Sequence, residues 1–245
     1  MERPLKGQCF LVTGAAKRVG KAIAIALATD GANICLHYNS SEDEAKETAS
    51  ELEGLGVRVF LVKADLQDLN NAENIVEACW RFAPLSGLIN NASVFPSTPL
   101  ENETPATFEE VMRVNYAAPL FLSQAFARQL DGIHGVIINL LDFRFAKTDL
   151  THFAYGQSKA ALAKLTSTLA IALAPSIRVN AIALGAILPP TPPFDEAQIL
   201  KKVPMKRWGE LEEVTDAIRF LTYRQSSITG SIIHIDGGRH LNSSE

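Results

Sequence analysis

Tyr155-Gly156-Gln157-Ser158-Lys159 sets a phenol and an ammonium four residues apart, and positions i and i+4 of a helix share one face. A cation within a few ångströms stabilises phenolate, so the spacing predicts a tyrosine moved from its ordinary value of about 10 toward the range of a working proton donor. The pair alone is also a common surface arrangement, so its company decides. Asp142 closes the apolar run Val136-Ile137-Ile138-Asn139-Leu140-Leu141, upstream of the tyrosine. Asn90-Asn91-Ala92-Ser93 closes another such run, with Phe95 just beyond it. In a layered α/β chain, strand ends and helix starts meet on one rim. Asn115 lies inside a helical stretch, where an asparagine ordinarily faces solvent.

A second kind of chemistry sits near the N-terminus, in Leu11-Val12-Thr13-Gly14-Ala15-Ala16-Lys17-Arg18-Val19-Gly20. An apolar strand passes through a tight turn into a helix, and free amides at a helix start can point at phosphate oxygens. Gly14 permits the turn, Gly20 permits close packing of helix on strand, and Arg18 stands where the middle glycine of the usual pattern would be. Its guanidinium can pair with phosphate in bidentate fashion. About 20 positions further on, a carboxylate would hold the ribose 2'-hydroxyl of NAD. Here the second apolar run ends in His37-Tyr38-Asn39-Ser40-Ser41, with no acid before Glu42. Donors at Asn39, Ser40 and Ser41, with Lys17 and Arg18 nearby, suit a 2'-phosphate and hence NADPH. Asp65, followed by Leu66, is placed to meet the adenine edge or to cap the next helix.

These residues need a scaffold of parallel strands, and the chain supplies one. Apolar runs alternate with helical periodicity: Cys9–Val12 then 22–28, 33–37 then 44–52, 57–62 then 72–82, and 87–89 then 108–130. The series continues with 135–140, 155–173, 178–183, 211–223 and 232–235. About seven strands result, nearly uniformly apolar as strands covered on both faces must be. The reading is an α/β, single-domain, Rossmann-type doubly wound parallel sheet with helices on both faces, spanning residues 1–245. The proline-rich stretch Pro189-Pro190-Thr191-Pro192-Pro193, within a loop region at about 186–205, is either a stiff cover over the site or a plain connector.

The 245 residues carry a net charge of -4 and are 47% hydrophobic, which argues against nucleic-acid or anionic-membrane surfaces and for a small-molecule substrate. No apolar signal region or uncharged run of roughly 20 residues is present, so a cytoplasmic protein is expected. Cys9, Cys35 and Cys79 lie far apart with no histidine at metal spacing; they read as small buried hydrophobes, and no metal is expected. Long helices at 108–130 and 155–173 with few charges predict a homotetramer, or failing that a dimer.

Taken in order, Thr13-Gly14-x5-Gly20, Asn90-Asn91-Ala92, Asn115, Tyr155-x3-Lys159 and Asp236-Gly237-Gly238 resemble the short-chain dehydrogenase/reductase family over nearly the whole chain. The resemblance implies that Tyr155 donates a proton, that Lys159 lowers its pKa and holds the nicotinamide ribose, and that Asn115 supports a water chain. Asn91, Ala92, Ser93 and Gly185 then belong with the cofactor. Two departures stand out. Leu184-Gly185 replaces the usual Pro-Gly, and Asp142 stands where the family places a serine; a serine donates to a substrate carbonyl, whereas an ionised carboxylate only accepts. With Arg18, His37-Tyr38, Ser93, Phe95 and the ending Asp236-Gly237-Gly238-Arg239-His240-Leu241, Asp142 is similar to the pteridine reductase and dihydromonapterin reductase branch. That branch implies a pterin stacked on Phe95, with Asp142, Ser93, Arg18 and Tyr155 around its polar edge, and reduction of a C=N bond, the proton arriving from Tyr155, Asp142 or water. Phe95 could equally be a loop aromatic capping the core, and Asp142 a cap or salt-bridge residue. The other readings are a reductase of a different carbonyl, such as a 3-oxoacyl thioester, and a non-enzymatic NADP(H)-sensing protein.

Overall fold

Seven apolar segments become strands: β1 Cys9–Val12, β2 Asn33–Tyr38, β3 Val59–Lys63, β4 Gly87–Asn90, β5 Gly135–Asp142, β6 Ile177–Leu184 and β7 Ile232–Ile235. The computed structural model describes residues 3–130, 134–189, 194–223 and 226–242. Among them the helices are α1 Arg18–Thr29, α2 Glu42–Gly54, α3 Asn71–Phe82, α4 Pro105–Met112, α5 Ala118–Gln129, α6 Phe153–Ala172, α7 Glu196–Lys201 and α8 Leu211–Thr222. Every strand pair is parallel, in the order β3-β2-β1-β4-β5-β6-β7.

A parallel sheet buries both faces, and alternation along a strand divides its side chains between them. In β1, Cys9 and Leu11 join Val76 of α3, Phe126 of α5 and Leu162 of α6 on one side. Phe10 and Val12 join Leu27 of α1, Leu52 of α2 and Ile218 of α8 on the other. The three cysteines are buried and unpaired, matching their reading as small hydrophobes.

Two expectations need revision. The helix expected over 108–130 is divided: α4 ends at Met112, Arg113–Ala117 make a π turn, and α5 begins at Ala118. A π turn widens the helix locally and is frequent at functional sites; this one carries Asn115, which is wholly buried rather than solvent-facing. Of the proline-rich stretch, residues 190–193 lie outside the described residues. The segment after it forms the short α7. No helix among the described residues is long and apolar enough to cross a membrane.

Strand order reverses between β1 and β4, because β2 and β3 build outward on one side and β5 to β7 on the other. The two loops leaving the carboxyl ends of β1 and β4 therefore part company, and a crevice opens between them. Thr13-Gly14 lies on one wall and Asn91-Ala92-Ser93 on the other.

Candidate functional site

The crevice is a groove of about 430 Å³ lined by Gly14, Lys17, Arg18, Val19, Gly20, His37, Asn39, Asp65, Leu66, Asn91, Ala92 and Ser93. Its floor is pinned by short bonds. Thr13 Oγ1 accepts from the amides of Asn91 at 2.9 Å and Ala92 at 3.0 Å, and Asn91 Nδ2 donates to the carbonyls of Thr13 and Gly14. A Cβ on Gly20 would lie 2.2 Å from the Gly14 carbonyl oxygen, so only glycine lets α1 come this close. Arg18 opens α1 with φ of 54°, a conformation that costs a residue with a Cβ about 1–3 kcal/mol. The side chain is exposed and has no hydrogen-bond or ion-pair partner among the described residues. Lys17 reaches Glu44 at 3.4 Å. The amides of residues 16–20 at the start of α1, with an unengaged guanidinium and no acid at the end of β2, fit a phosphorylated dinucleotide.

Not every residue expected here lines the groove. Gly14 N donates to His37 Nδ1 at 3.2 Å, so the neutral ring carries its proton on Nε2 and donates to the Ala64 carbonyl at 3.1 Å. Burial lowers His37 to about 4 and keeps it neutral; with both nitrogens used, it holds the loop and offers only its ring. Tyr38 points the opposite way, into the core, as strand alternation requires. Ser40 and Ser41 lie beyond the lining, as do Tyr155, Lys159 and Gly185. Gly185 serves packing, since a Cβ there would meet Asp236 Cα at 2.5 Å. Asp65 lines the groove but does not cap α3, whose N-cap is Asn70; its carboxylate accepts from Gln67 N at 2.9 Å.

Further along the rim, α6 presents Tyr155 and Lys159 to the end of β5. Lys159 Nζ donates to the Leu140 carbonyl at 2.9 Å and stands 5.6 Å from the centre of the Tyr155 ring. The Asp142 carboxylate and the Ser93 hydroxyl are polar groups that act on the phenol. Asp142 is both a cap and half of a salt bridge: Oδ1 accepts from Arg144 N at 2.9 Å, and Arg144 Nη1 lies 3.1 and 3.2 Å from the two oxygens. The same guanidinium pairs with Asp149 and lies over the Phe95 and Phe143 rings. Phe95 is 50% exposed, stacks on His152 at 4.2 Å and meets Tyr155 edge-on at 4.4 Å. Asn115 uses all four hydrogen-bond positions: Oδ1 accepts from Val94 N and Ser93 Oγ, and Nδ2 donates to Val94 O and Ser158 Oγ. It ties the loop after β4 to α6, and its side chain has no position left for a water.

A family profile described as enoyl-(acyl carrier protein) reductase matches residues 14–240. The chain belongs to the short-chain dehydrogenase/reductase family. A FolM alternative dihydrofolate reductase 1 from Brucella canis, solved with NADP, superposes with a TM-score of 0.91 at 35% identity, covering 99% of this chain and 98% of that one. Pteridine reductase 1 of Leishmania tarentolae is 33% identical over 276 aligned residues, covering 94% of this chain and 96% of its own. A 3-oxoacyl-[acyl-carrier-protein] reductase from Staphylococcus epidermidis is 30% identical, covering 94% and 98%.

Within this short-chain dehydrogenase/reductase, the direction of the Tyr155 shift reverses the expectation from spacing. Burial and then the Asp142 charge push the phenol well above its ordinary value, so it stays protonated. The groups that pull it back down are Arg144 and Ser93 rather than Lys159, whose own value burial lowers to about 8. Arg144, Asp149 and His152 are the site residues that the sequence reading missed. Burial alone would raise Asp149, but bonds from Thr151 and the Arg144 ion pair hold it well below the usual carboxylate range.

The buried lysine gives a pH test. Between about 8 and its ordinary 10.5 the unfolded chain holds the Lys159 proton while the native state has released it, so stability gains with rising pH in that window. Denaturant titrations of the parent and Lys159→Met should show the stability difference moving in the parent's favour by about 3 kcal/mol from pH 7 to pH 10.5. A pH-independent difference would contradict the assignment.

Proposed function

We propose that this enzyme uses NADPH to reduce the C=N bond of a pterin, taking a dihydropterin or dihydrofolate to the tetrahydro form, with reduction of a fully oxidised pterin as an earlier step of the same kind. The observation that carries the reading is the carboxylate at Asp142, beside Tyr155 and clamped by Arg144. A group that only accepts suits a 2-amino-4-oxo ring edge, which offers N–H donors, better than a ketone oxygen, which needs one. The pteridine reductase and FolM relatives support it. The 3-oxoacyl reductase relative keeps a carbonyl substrate as the second reading.

NADPH, when bound, would supply a hydride to the ring carbon. In the Gly14–Gly20 turn, the amides of residues 16–20 and Arg18 would hold the pyrophosphate; Lys17, Asn39, Ser40 and Ser41 the 2'-phosphate; Asp65 and Leu66 the adenine edge; and Lys159 the nicotinamide ribose. On the substrate side, the exposed Phe95 ring offers a stacking face whose orientation is fixed by His152 and Tyr155. Ser93, Asp142 and Arg18 surround the polar edge. Each C=N reduced takes up one proton at nitrogen, and the Tyr155–Asp142 pair is its source: the phenol keeps its proton until a basic nitrogen arrives, and the carboxylate orients it. Asn115 acts through Val94, Ser93 and Ser158, as a positioning residue. Exposed Phe108 and Phe121 on the α4–α5 side and Ile171 on α6 support a homotetramer, and a cytoplasmic setting goes with the reading.

Three outcomes follow. NADPH should bind tighter than NADH by about 1–3 kcal/mol, the worth of charge-assisted hydrogen bonds to the extra phosphate; equal affinities in a fluorescence titration would contradict the cofactor assignment. Asp142→Ser should cut dihydropterin turnover by about 30- to 1000-fold, the cost of one lost transition-state contact of 2–4 kcal/mol, while a carbonyl reductase would keep or raise its turnover. Light scattering at micromolar concentration should report four copies of the 26.6 kDa chain, and a monomer would defeat the assembly proposal.

A further inference from the structure

On the far side of the turn that carries Arg144, three side chains of metal-ligating type converge. His234 and Asp236 sit two residues apart at the end of β7, so alternation puts both on the same face of the strand. Gly237 and Gly238, with φ of 60° and 81°, then fold the chain back so that His240 returns to that face. One ligand atom from each of the three lies within 4.8 Å of the other two. Metal bonds to imidazole nitrogen and carboxylate oxygen run about 2.0–2.2 Å, so two ligands of one ion stand at most about 4.4 Å apart. A tetrahedral ion sets its ligands about 3.4 Å apart, so the imidazole rings would turn toward one another to close the set.

The bonding within the trio is that of a metal site's surroundings. Asp236 Oδ2 lies 2.7 Å from His240 Nδ1 and also accepts the His240 amide at 2.8 Å, while Oδ1 accepts the Gly238 amide at 2.9 Å. An ion that took the place of the proton between Asp236 Oδ2 and His240 Nδ1 would have both atoms as ligands. The His234 ring stacks on His240 at 3.9 Å with 23° between planes, which brings the two imidazoles together. All three open onto a cavity of about 480 Å³, which gives a hydrated ion a way in. Arg207, the one arginine among the described residues on that cavity, is neutralised by Glu213 through contacts of 2.9 and 3.2 Å.

We infer that His234, Asp236 and His240 form a binding site for a borderline divalent transition metal, zinc first. Two imidazoles and one carboxylate are a donor set of that class, with water completing the coordination. The site is separate from the proton-donating rim but touches its support. Phe145 stacks on His234 at 5.6 Å, and the Arg239 guanidinium lies 4.1 Å over the Phe143 ring. Both phenylalanines belong to the turn Phe143–Ala146, which holds Arg144 against Asp142. A bound ion would brace that turn.

The test uses untagged, full-length protein stripped with chelator, and zinc alone as the probe. Calorimetry should show one zinc per chain with a micromolar or tighter Kd, and the thermal midpoint should rise with zinc. Cobalt should give visible absorption bands of histidine coordination. His234→Ala alters an exposed strand position and leaves the turn intact, and His240→Gln keeps a side chain that can still bond Asp236. Each should weaken zinc at least tenfold, with the circular dichroism of the parent. No binding at 100 µM zinc, or binding that either variant leaves within tenfold, would overturn the site; the second result would assign the zinc to the cysteines or elsewhere.

Discussion

Reversal of strand order between β1 and β4 leaves two loops with no ladder between them, and the fold holds them by a knot of hydrogen bonds instead. Thr13 Oγ1 receives two amides from the β4 loop, and the Asn91 side chain returns two bonds to the β1 loop. One threonine and one asparagine thus fix the width of the crevice. His37 adds the third wall by bonding Gly14 and Ala64 at once. His37 and Asn91 thus line the groove and hold its walls together at once.

The proton-handling rim is built on a different principle, buried charge. Asp142, Arg144 and Asp149 are each under one-fifth exposed at the side chain, and removing such charges from water costs several kcal/mol per ion unless they meet one another in good geometry. Arg144 satisfies both acids and also covers two aromatic rings. The arrangement is weak evidence for stability and stronger evidence for a fixed geometry, since neither acid can move without stranding the guanidinium. Tyr155 is held in the resulting field.

Spacing alone made the glycine turn, the Tyr155–Lys159 pair and all seven strands legible, because each depends on residues close in sequence. The interior of the site was not. Asn115 has its partners at Ser93, Val94 and Ser158, and no local pattern tells an inward asparagine from an outward one. The direction of the Tyr155 shift depends on burial and on Asp142, both products of packing, whereas the i, i+4 lysine was the only neighbour in sight. Arg144, Asp149 and His152 lay in a stretch without periodicity. Tyr38 is the exception, because the information was present: His37 and Tyr38 are consecutive in a strand and must face opposite sides, so the two could not both line one groove.

A sheet with only parallel neighbours contains no hairpin, and this has consequences for how the molecule is made. Leu11 pairs with Leu88, and Leu184 pairs with Ile235, each across a long crossover. Loop-closure entropy must be met before such contacts return anything, which places the chain among slow-folding topologies. During synthesis β1 has a partner at β2 but an open edge until β4 arrives, and β6 keeps an open edge until the last strand emerges. The crevice between β1 and β4, and the turn after β7, therefore form by the slowest class of event available to this chain. Loss of residues 232–245 would leave β6 as a bare apolar edge, a surface prone to aggregation.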